Sequence, residues 1–351
     1  MTVQESLAVP ETPIPDDMAM LRAAVELSRD LSFADPRIYW PDMLLSAGLG
    51  YGGLAGAVML HTPLLAGASA LVAVLALYRA LLFIHELTHI HRDALPGFRL
   101  AWNLIIGIPL LTPSFMYEGV HTLHHARTRY GTGDDPEYLP LALMKPWSLP
   151  LFILAAMALP IGLLLRCAVL VPLGLIAPPV RRMVWERISS LSINPDFRRR
   201  PPEGAFAAMV FWQELGASIW AIALLVSTHW LGWHPLLIAL CVISAVAVLN
   251  QIRTLVAHLW QNDSVAMTVT GQYLDSVNVP PPERFAPLWA PVGLRYHALH
   301  HLLPSVPYHA LGEAHRRLSA HLGQDSTYAR ASYPGLMVLV KRLSLSTMRV
   351  R

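Results

Sequence analysis

The sequence predicts an all-α integral membrane protein: four transmembrane helices in two hairpins, with re-entrant or interfacial helices and a cytoplasmic helical cap that gathers metal-binding histidines. Three observations carry that expectation. Of 351 residues, 54% are hydrophobic and only 14% charged, against about 25% charged in ordinary soluble chains. Four stretches, 41–60, 63–84, 206–229 and 235–257, reach the roughly 20 apolar residues that a bilayer crossing needs. Three histidine clusters stand just outside those stretches.

The elements follow in chain order. Met1–Pro36 is polar and lacks the basic-then-apolar order of a signal peptide, so residues 1–36 read as a cytoplasmic segment ahead of a membrane domain spanning 37–351. Within that segment Asp16 and Asp17 precede an apolar-periodic run over 18–27, which predicts a capped amphipathic helix at the membrane surface. The first two spans are joined by His61-Thr-Pro63 and the last two by Trp230-Leu-Gly-Trp-His-Pro235. Links this short imply antiparallel hairpins, with Trp230 and Trp233 in an interfacial belt. Residues 98–116, carrying Pro109 and Pro113, are too short to span and are expected to dip into the interface. Residues 147–178 are apolar but interrupted by Pro150, Pro160 and Pro172, which predicts a re-entrant or interfacial pair of short helices. Between the hairpins lie Arg92, Arg99, Arg127, Arg129 and Lys145, then Arg181, Arg182, Arg187, Arg198, Arg199 and Arg200. The positive-inside rule places this region, both termini and the histidine clusters in the cytoplasm. A net charge of +3 gives no reason to expect a nucleic-acid partner. Cys167 and Cys241 sit in apolar runs and read as core filler.

The clusters are His85-Glu-Leu-Thr-His89, His121-Thr-Leu-His124-His125 and His297-Ala-Leu-His300-His301. Spacings of three and four put each cluster's rings on one helix face. Imidazole suits iron, copper, zinc and nickel, and eight rings exceed what one tetrahedral ion takes, so the pattern implies two metals. Rival readings exist. His85-Glu86-Leu-Thr-His89 is literally the zinc-protease HExxH, yet it accounts for two histidines alone. Glu86–His89 and Glu118–His121 form two ExxH pairs of the carboxylate di-iron type, with Glu214 the one further glutamate inside a span. A metal transporter would place its ligands near mid-membrane, not at span ends. Gln213, Glu214, Asn250, Gln251 and Arg253 are polar residues within the second hairpin and functional candidates for that reason; the register across the turn predicts a Glu214–Arg253 pair. His309, His315 and His321 fall on a charged C-terminal helix and read as surface residues.

Taken with Tyr117-Glu-Gly-Val-His-Thr-Leu-His-His125 and Leu294-Arg-Tyr-His-Ala-Leu-His-His-Leu-Leu-Pro304, the clusters resemble those of the integral-membrane fatty acid desaturases, a superfamily that also holds membrane hydroxylases. The resemblance runs from about Trp40 to Leu318. It implies a di-iron site (Fe2+/Fe3+) with O2 as co-substrate, and His258 as a ninth ligand after the last span. It further implies that one iron takes His85, His125, His258 and His300, the other His89, His121, His124, His297 and His301. The stearoyl-type members keep a water-holding asparagine four residues before the lone histidine. Thr254 stands there in this chain, with Asn250 and Asn262 as substitutes. Glu86, Asp93, Glu118, Asp134, Asp135 and Glu137 are candidates to orient the ligands, and Trp102, Phe115, Tyr117 and Trp212 are candidate walls of an acyl tunnel. The implied reaction is O2-dependent introduction of a C=C bond into a lipid acyl chain; hydroxylation of a lipid or carotenoid, or decarboxylation to a 1-alkene, is the alternative outcome of the same centre. No haem-binding His-Pro-Gly-Gly element occurs, so the resemblance implies an external carrier such as ferredoxin or rubredoxin with its reductase. The implied location is a bacterial cytoplasmic membrane.

Overall fold

In a computed structural model describing residues 14–91 and 93–347, the chain is helical and no strand forms among the described residues. Arg92 and the start of the N-terminal segment lie outside that description. The helices are α1 (Met18–Ser28), α2 (Pro36–Met59), α3 (Pro63–His89), α4 (Phe98–Trp102), α5 (His121–His124), α6 (Ser148–Leu165), α7 (Val171–Ile176), α8 (Pro178–Ile188), α9 (Gly204–Leu231), α10 (His234–Leu255), α11 (Val269–Asp275), α12 (Ala286–Trp289), α13 (His297–Leu302), α14 (Leu311–Leu322) and α15 (Leu336–Thr347). They divide into two compact units. One holds Met1–Ala34, His121–Phe152 and Gln251–Arg351; the other holds Asp35–Val120 and Ile153–Asn250.

The second unit carries the apolar helices. Four helical stretches are long and apolar enough to cross a membrane: Pro63–His89, Ser148–Gly174, Gly204–Leu231 and His234–Leu255. Ser148–Gly174 corrects the expectation of two short helices. Pro150 falls in the first turn, where its missing N–H costs nothing. Pro160 is accommodated inside α6, and a π-helical turn at Arg166–Leu170 leads into α7 with Pro172 in its first turn. α2 forms as expected yet is not among the four, because five glycines and Asp42 dilute its hydropathy. Three of those glycines serve contact instead. A Cβ at Gly50, Gly53 or Gly56 would stand within 2.8 Å of Leu77, Ala73 or Ser69, so glycine lets α2 and α3 pack backbone to backbone. Asp42 and Arg79 join the same two helices at 2.5 Å. Trp230 and Trp233 are exposed at the α9–α10 turn. Cys167 is buried, but Cys241 is exposed and so is not core filler.

Glu214, predicted to pair with Arg253, accepts from Arg166 at 2.5 Å and Arg181 at 2.6 Å. Trp212 is 67% exposed and cannot wall a tunnel, since it points away from the face that carries Gln213 and Glu214. Trp102 is buried and donates to the Ala80 carbonyl at 2.9 Å, and Phe115 stacks on Trp185; both are packing residues. Tyr117 is buried next to the first turn that leads toward α5.

The first unit packs around α14. Asp17 caps α1, accepting from the Ala19 and Met20 amides, as the sequence predicts. The apolar face of α1 is not spent on a membrane surface, however: Met20, Ala23 and Ala24 bury against Leu311, Ala314 and Leu318. His315 is likewise not a plain surface residue. Its ring lies beside Tyr296 and its Nδ1 is 2.8 Å from the Tyr328 hydroxyl. Burial, helped by the charge of Arg295, pushes its pKa down to about 4. An unfolded histidine titrates near 6.5, so below that pH the unfolded chain takes up a proton that the folded one refuses. Stability from this site is therefore present above about pH 6.5 and is lost as pH falls toward 4. After discounting for the partly exposed ring, about 2 kcal/mol is at stake. His315→Gln is expected to flatten the acid limb of the thermal-unfolding profile relative to the unaltered chain; identical limbs would remove His315 from the account.

Candidate metal centre

In the first unit, seven of the nine predicted ligands converge. α5 is a single turn that presents His121 and His124, with the His125 backbone N–H closing it by donating to the His121 carbonyl at 3.2 Å. α13 presents His297, His300 and His301. It is set in place by Asn278, whose Oδ1 accepts from the Leu299 amide at 3.0 Å. The turn ahead of it needs Gly293: its φ is +70°, and a Cβ there would meet Tyr308 at 2.9 Å. His258 leaves the end of α10 and is pinned by backbone bonds from Leu259 to Asp275 (2.7 Å) and from Val277 to Ala257 (3.0 Å).

The rings form two adjacent groups. His124, His258, His297 and His301 are all buried, with ligand nitrogens within 4.8 Å of one another. His121, His125 and His300 belong to the other group, on the same criterion. His125 and His301 connect the two, their rings stacked at 4.3 Å. This corrects the implied partition: His258 stands with His124, His297 and His301, because the 258–276 bridge turns its ring toward α13 and away from His125 and His300. In the second unit, His85 and His89 share one face at the end of α3, with ring centroids 5.0 Å apart.

The donor set fits metal ions. His258 and His297 bring their Nε2 atoms to 3.0 Å, His297 and His301 to 3.1 Å, and His121 and His125 to 3.0 Å. Two imidazole nitrogens each about 2.1 Å from one ion and at right angles to each other would stand about 3 Å apart. At three of the histidines the opposite ring nitrogen is occupied in the sense that ligation requires. His121 Nδ1 meets Glu137 at 2.9 Å, and His124 Nδ1 meets Asp135 at 2.9 Å. His258 Nδ1 meets the Tyr130 hydroxyl at 2.8 Å, and Tyr130 donates in turn to Asp275 at 2.9 Å. An N–H committed to each of these partners leaves the Nε2 lone pair facing its group. Electrostatics agree. Burial holds the pKa of His258 and His301 well below the usual histidine value, reinforced by neighbouring histidines. At His124 burial acts the same way, but the Asp135 carboxylate outweighs it and raises the pKa.

Of the predicted orienting residues, Asp135 and Glu137 hydrogen-bond His124 and His121. Asp135 is itself fixed by the Gly131 and Glu137 amides at 2.9 and 2.8 Å. Glu86 lies against His85 and accepts from Tyr39 at 2.5 Å. Glu118 pairs with Arg99 at 2.5 Å and accepts from Ser114 at 2.6 Å. Asn262 is not a water holder; its Nδ2 donates to the Gly131 and Val265 carbonyls at 2.8 Å, clamping the loop that carries Asp135. Thr254 is half-buried on α10, and Asn250 lies on the same helix. Tyr130 and Asp275 were not legible in the sequence: neither sits at a helical spacing from a histidine. Asp135→Asn keeps the size but removes the charge that steadies His124, and is expected to weaken metal affinity about 10–100-fold in a chelator competition.

Comparison with known proteins bears on what such a centre serves. A ceramide hydroxylase of Caulobacter vibrioides is 48% identical over 323 residues, covering 91% of this chain and 92% of that protein. The family model described as fatty acid desaturase matches residues 27–332. That span takes in all three histidine clusters and His258, and the chain belongs to the fatty acid desaturase family.

Proposed function

We propose that this chain is a membrane-embedded, O2-dependent lipid hydroxylase acting on a ceramide-type substrate. The observation that carries the reading is the 48% identity to a ceramide hydroxylase across nine-tenths of both chains. It favours hydroxylation over the C=C formation that the histidine boxes alone suggest. His121, His124, His125, His258, His297, His300 and His301 would hold metal, and His85 and His89 of the first box are proposed as ligands on the resemblance of the boxes. The metal is proposed to be iron, two ions per chain, and when bound it supplies the redox chemistry with O2 that no side chain provides.

The protein's own part is placement. Glu137, Asp135 and the Tyr130–Asp275 pair hold the imidazoles in one tautomer. Burial of His124, His258, His297 and His300 keeps bulk water from their nitrogens. Electrons come from an external one-electron carrier of the ferredoxin or rubredoxin type, drawn to a basic face, with the site on the cytoplasmic side of the membrane.

The test is lipid mass spectrometry of a ceramide-containing host expressing the chain. Ceramides that gain one oxygen support the proposal. Acyl chains that lose two hydrogens instead would replace it with desaturation. Unchanged lipids from iron-loaded, reductant-supplied protein would overturn both.

A further inference from the structure

Next to the four-histidine group lies a set of aromatic side chains that the binding of metal does not require. Tyr130 is fully buried. Its ring centroid lies 5.0 Å from His124 and 5.3 Å from His301, and its hydroxyl bonds His258. Tyr138 follows at 5.5 Å from Tyr130, and Trp260 at 5.1 Å from Tyr138 and 5.0 Å from His258. All three are at most 2% exposed. Trp260 holds a φ of +58°, a conformation that a bulky residue adopts only when its surroundings impose it; its indole N–H donates to the Leu255 carbonyl at 2.8 Å. Both phenols converge on one acceptor. Tyr130 donates to Asp275 at 2.9 Å, and the Tyr138 hydroxyl lies beside the same carboxylate. Orienting His258 needs one hydrogen-bond partner. It does not need a second tyrosine on the same carboxylate, nor an indole in contact with both.

Tyrosine and tryptophan are the side chains most readily oxidised by one electron, and a phenol loses its electron easily only if its proton has somewhere to go. Here the acceptor is in place. We propose that Tyr130 and Tyr138, packed against Trp260, form an electron outlet that protects the centre when it reacts with O2 without a lipid bound.

Tyr130 gives one electron to the oxidised metal centre and its phenolic proton to Asp275, leaving a neutral tyrosyl radical and a protonated carboxyl. Tyr138 then refills Tyr130 with an electron. As it does so, Asp275 returns its proton to Tyr130 and takes the one from Tyr138. The external one-electron carrier finally reduces the Tyr138 radical, which takes its proton back from Asp275. The proposal rests on the reading above only in requiring a metal centre that O2 oxidises.

The experiment mixes reduced, iron-loaded full-length protein with O2 in the absence of lipid and freeze-quenches it for electron paramagnetic resonance. An organic radical is expected, its hyperfine pattern narrowing when the protein carries ring-deuterated tyrosine. Tyr130→Phe is expected to abolish that signal, with iron content measured in the same sample. Tyr138→Phe is expected to retain a Tyr130 signal and to shorten the protein's survival under O2 severalfold. The labelled, unsubstituted protein keeps the test valid if Tyr130→Phe loses iron. Iron that oxidises with no radical, or a radical insensitive to tyrosine deuteration, overturns the outlet while leaving the oxygenase reading intact. Iron that does not oxidise at all overturns the oxygenase reading and the outlet with it.

Discussion

Replacing His297 by alanine is expected to empty the four-histidine group and reduce lipid oxidation by at least about 100-fold. His297 stands between His258 and His301, at 3.0 and 3.1 Å, so its removal takes the central donor of four. Losing an orienting partner alone costs about 10–100-fold in affinity, and losing a ligand costs more. The fold should survive. α13 is anchored by the Asn278 bond to the Leu299 amide and by the Ala298 amide on the Val277 carbonyl, neither of which involves the ring. Elemental analysis should show the purified variant losing about one of two metals with unchanged helicity. Full metal content in His297→Ala would remove it from the ligand set.

Glu214→Ala is expected to be the most destabilising single change among the polar residues of the apolar unit. Glu214 and Arg166 are almost fully buried, and Glu214 also receives Arg181. Truncating the carboxylate leaves the Arg166 guanidinium buried among Phe115, Cys167 and the α8 backbone without its counter-charge. Breaking a buried pair on one side costs about 3–5 kcal/mol. Arg181 is half-exposed and can extend its stem toward water, so the loss falls mainly on Arg166. The double change Arg166→Met with Glu214→Met removes both charges and should recover most of the stability, read as the thermal midpoint of detergent-solubilised protein. Equal midpoints for Glu214→Ala and the unaltered chain would show that the cluster contributes no stability.

The sequence announced those two sites unequally. Spacings of three and four on short apolar backgrounds mark a histidine face whatever the surroundings, so eight candidate ligands were legible, and the ninth came from family resemblance. Glu214 was legible as an intramembrane charge, but its partner was not. A register argument across one hairpin considers only the two helices that it joins, and the partners Arg166 and Arg181 lie outside that hairpin. A π turn, with prolines tolerated inside a continuous helix, is why residues 148–174 read as broken in sequence and fold unbroken.

By itself the sequence determined the helical class, three of the four long apolar helices and the histidine faces, because these depend on local periodicity and on residue chemistry that no neighbour alters. Tertiary structure alone decided which imidazoles share a group and which acids and phenols orient them, and that α1 packs on α14 and not on lipid. Several of those outcomes join residues more than a hundred positions apart, such as Tyr130 with His258 and Asp275. Contacts at that separation are set by how whole elements pack, and no pattern along the chain encodes them.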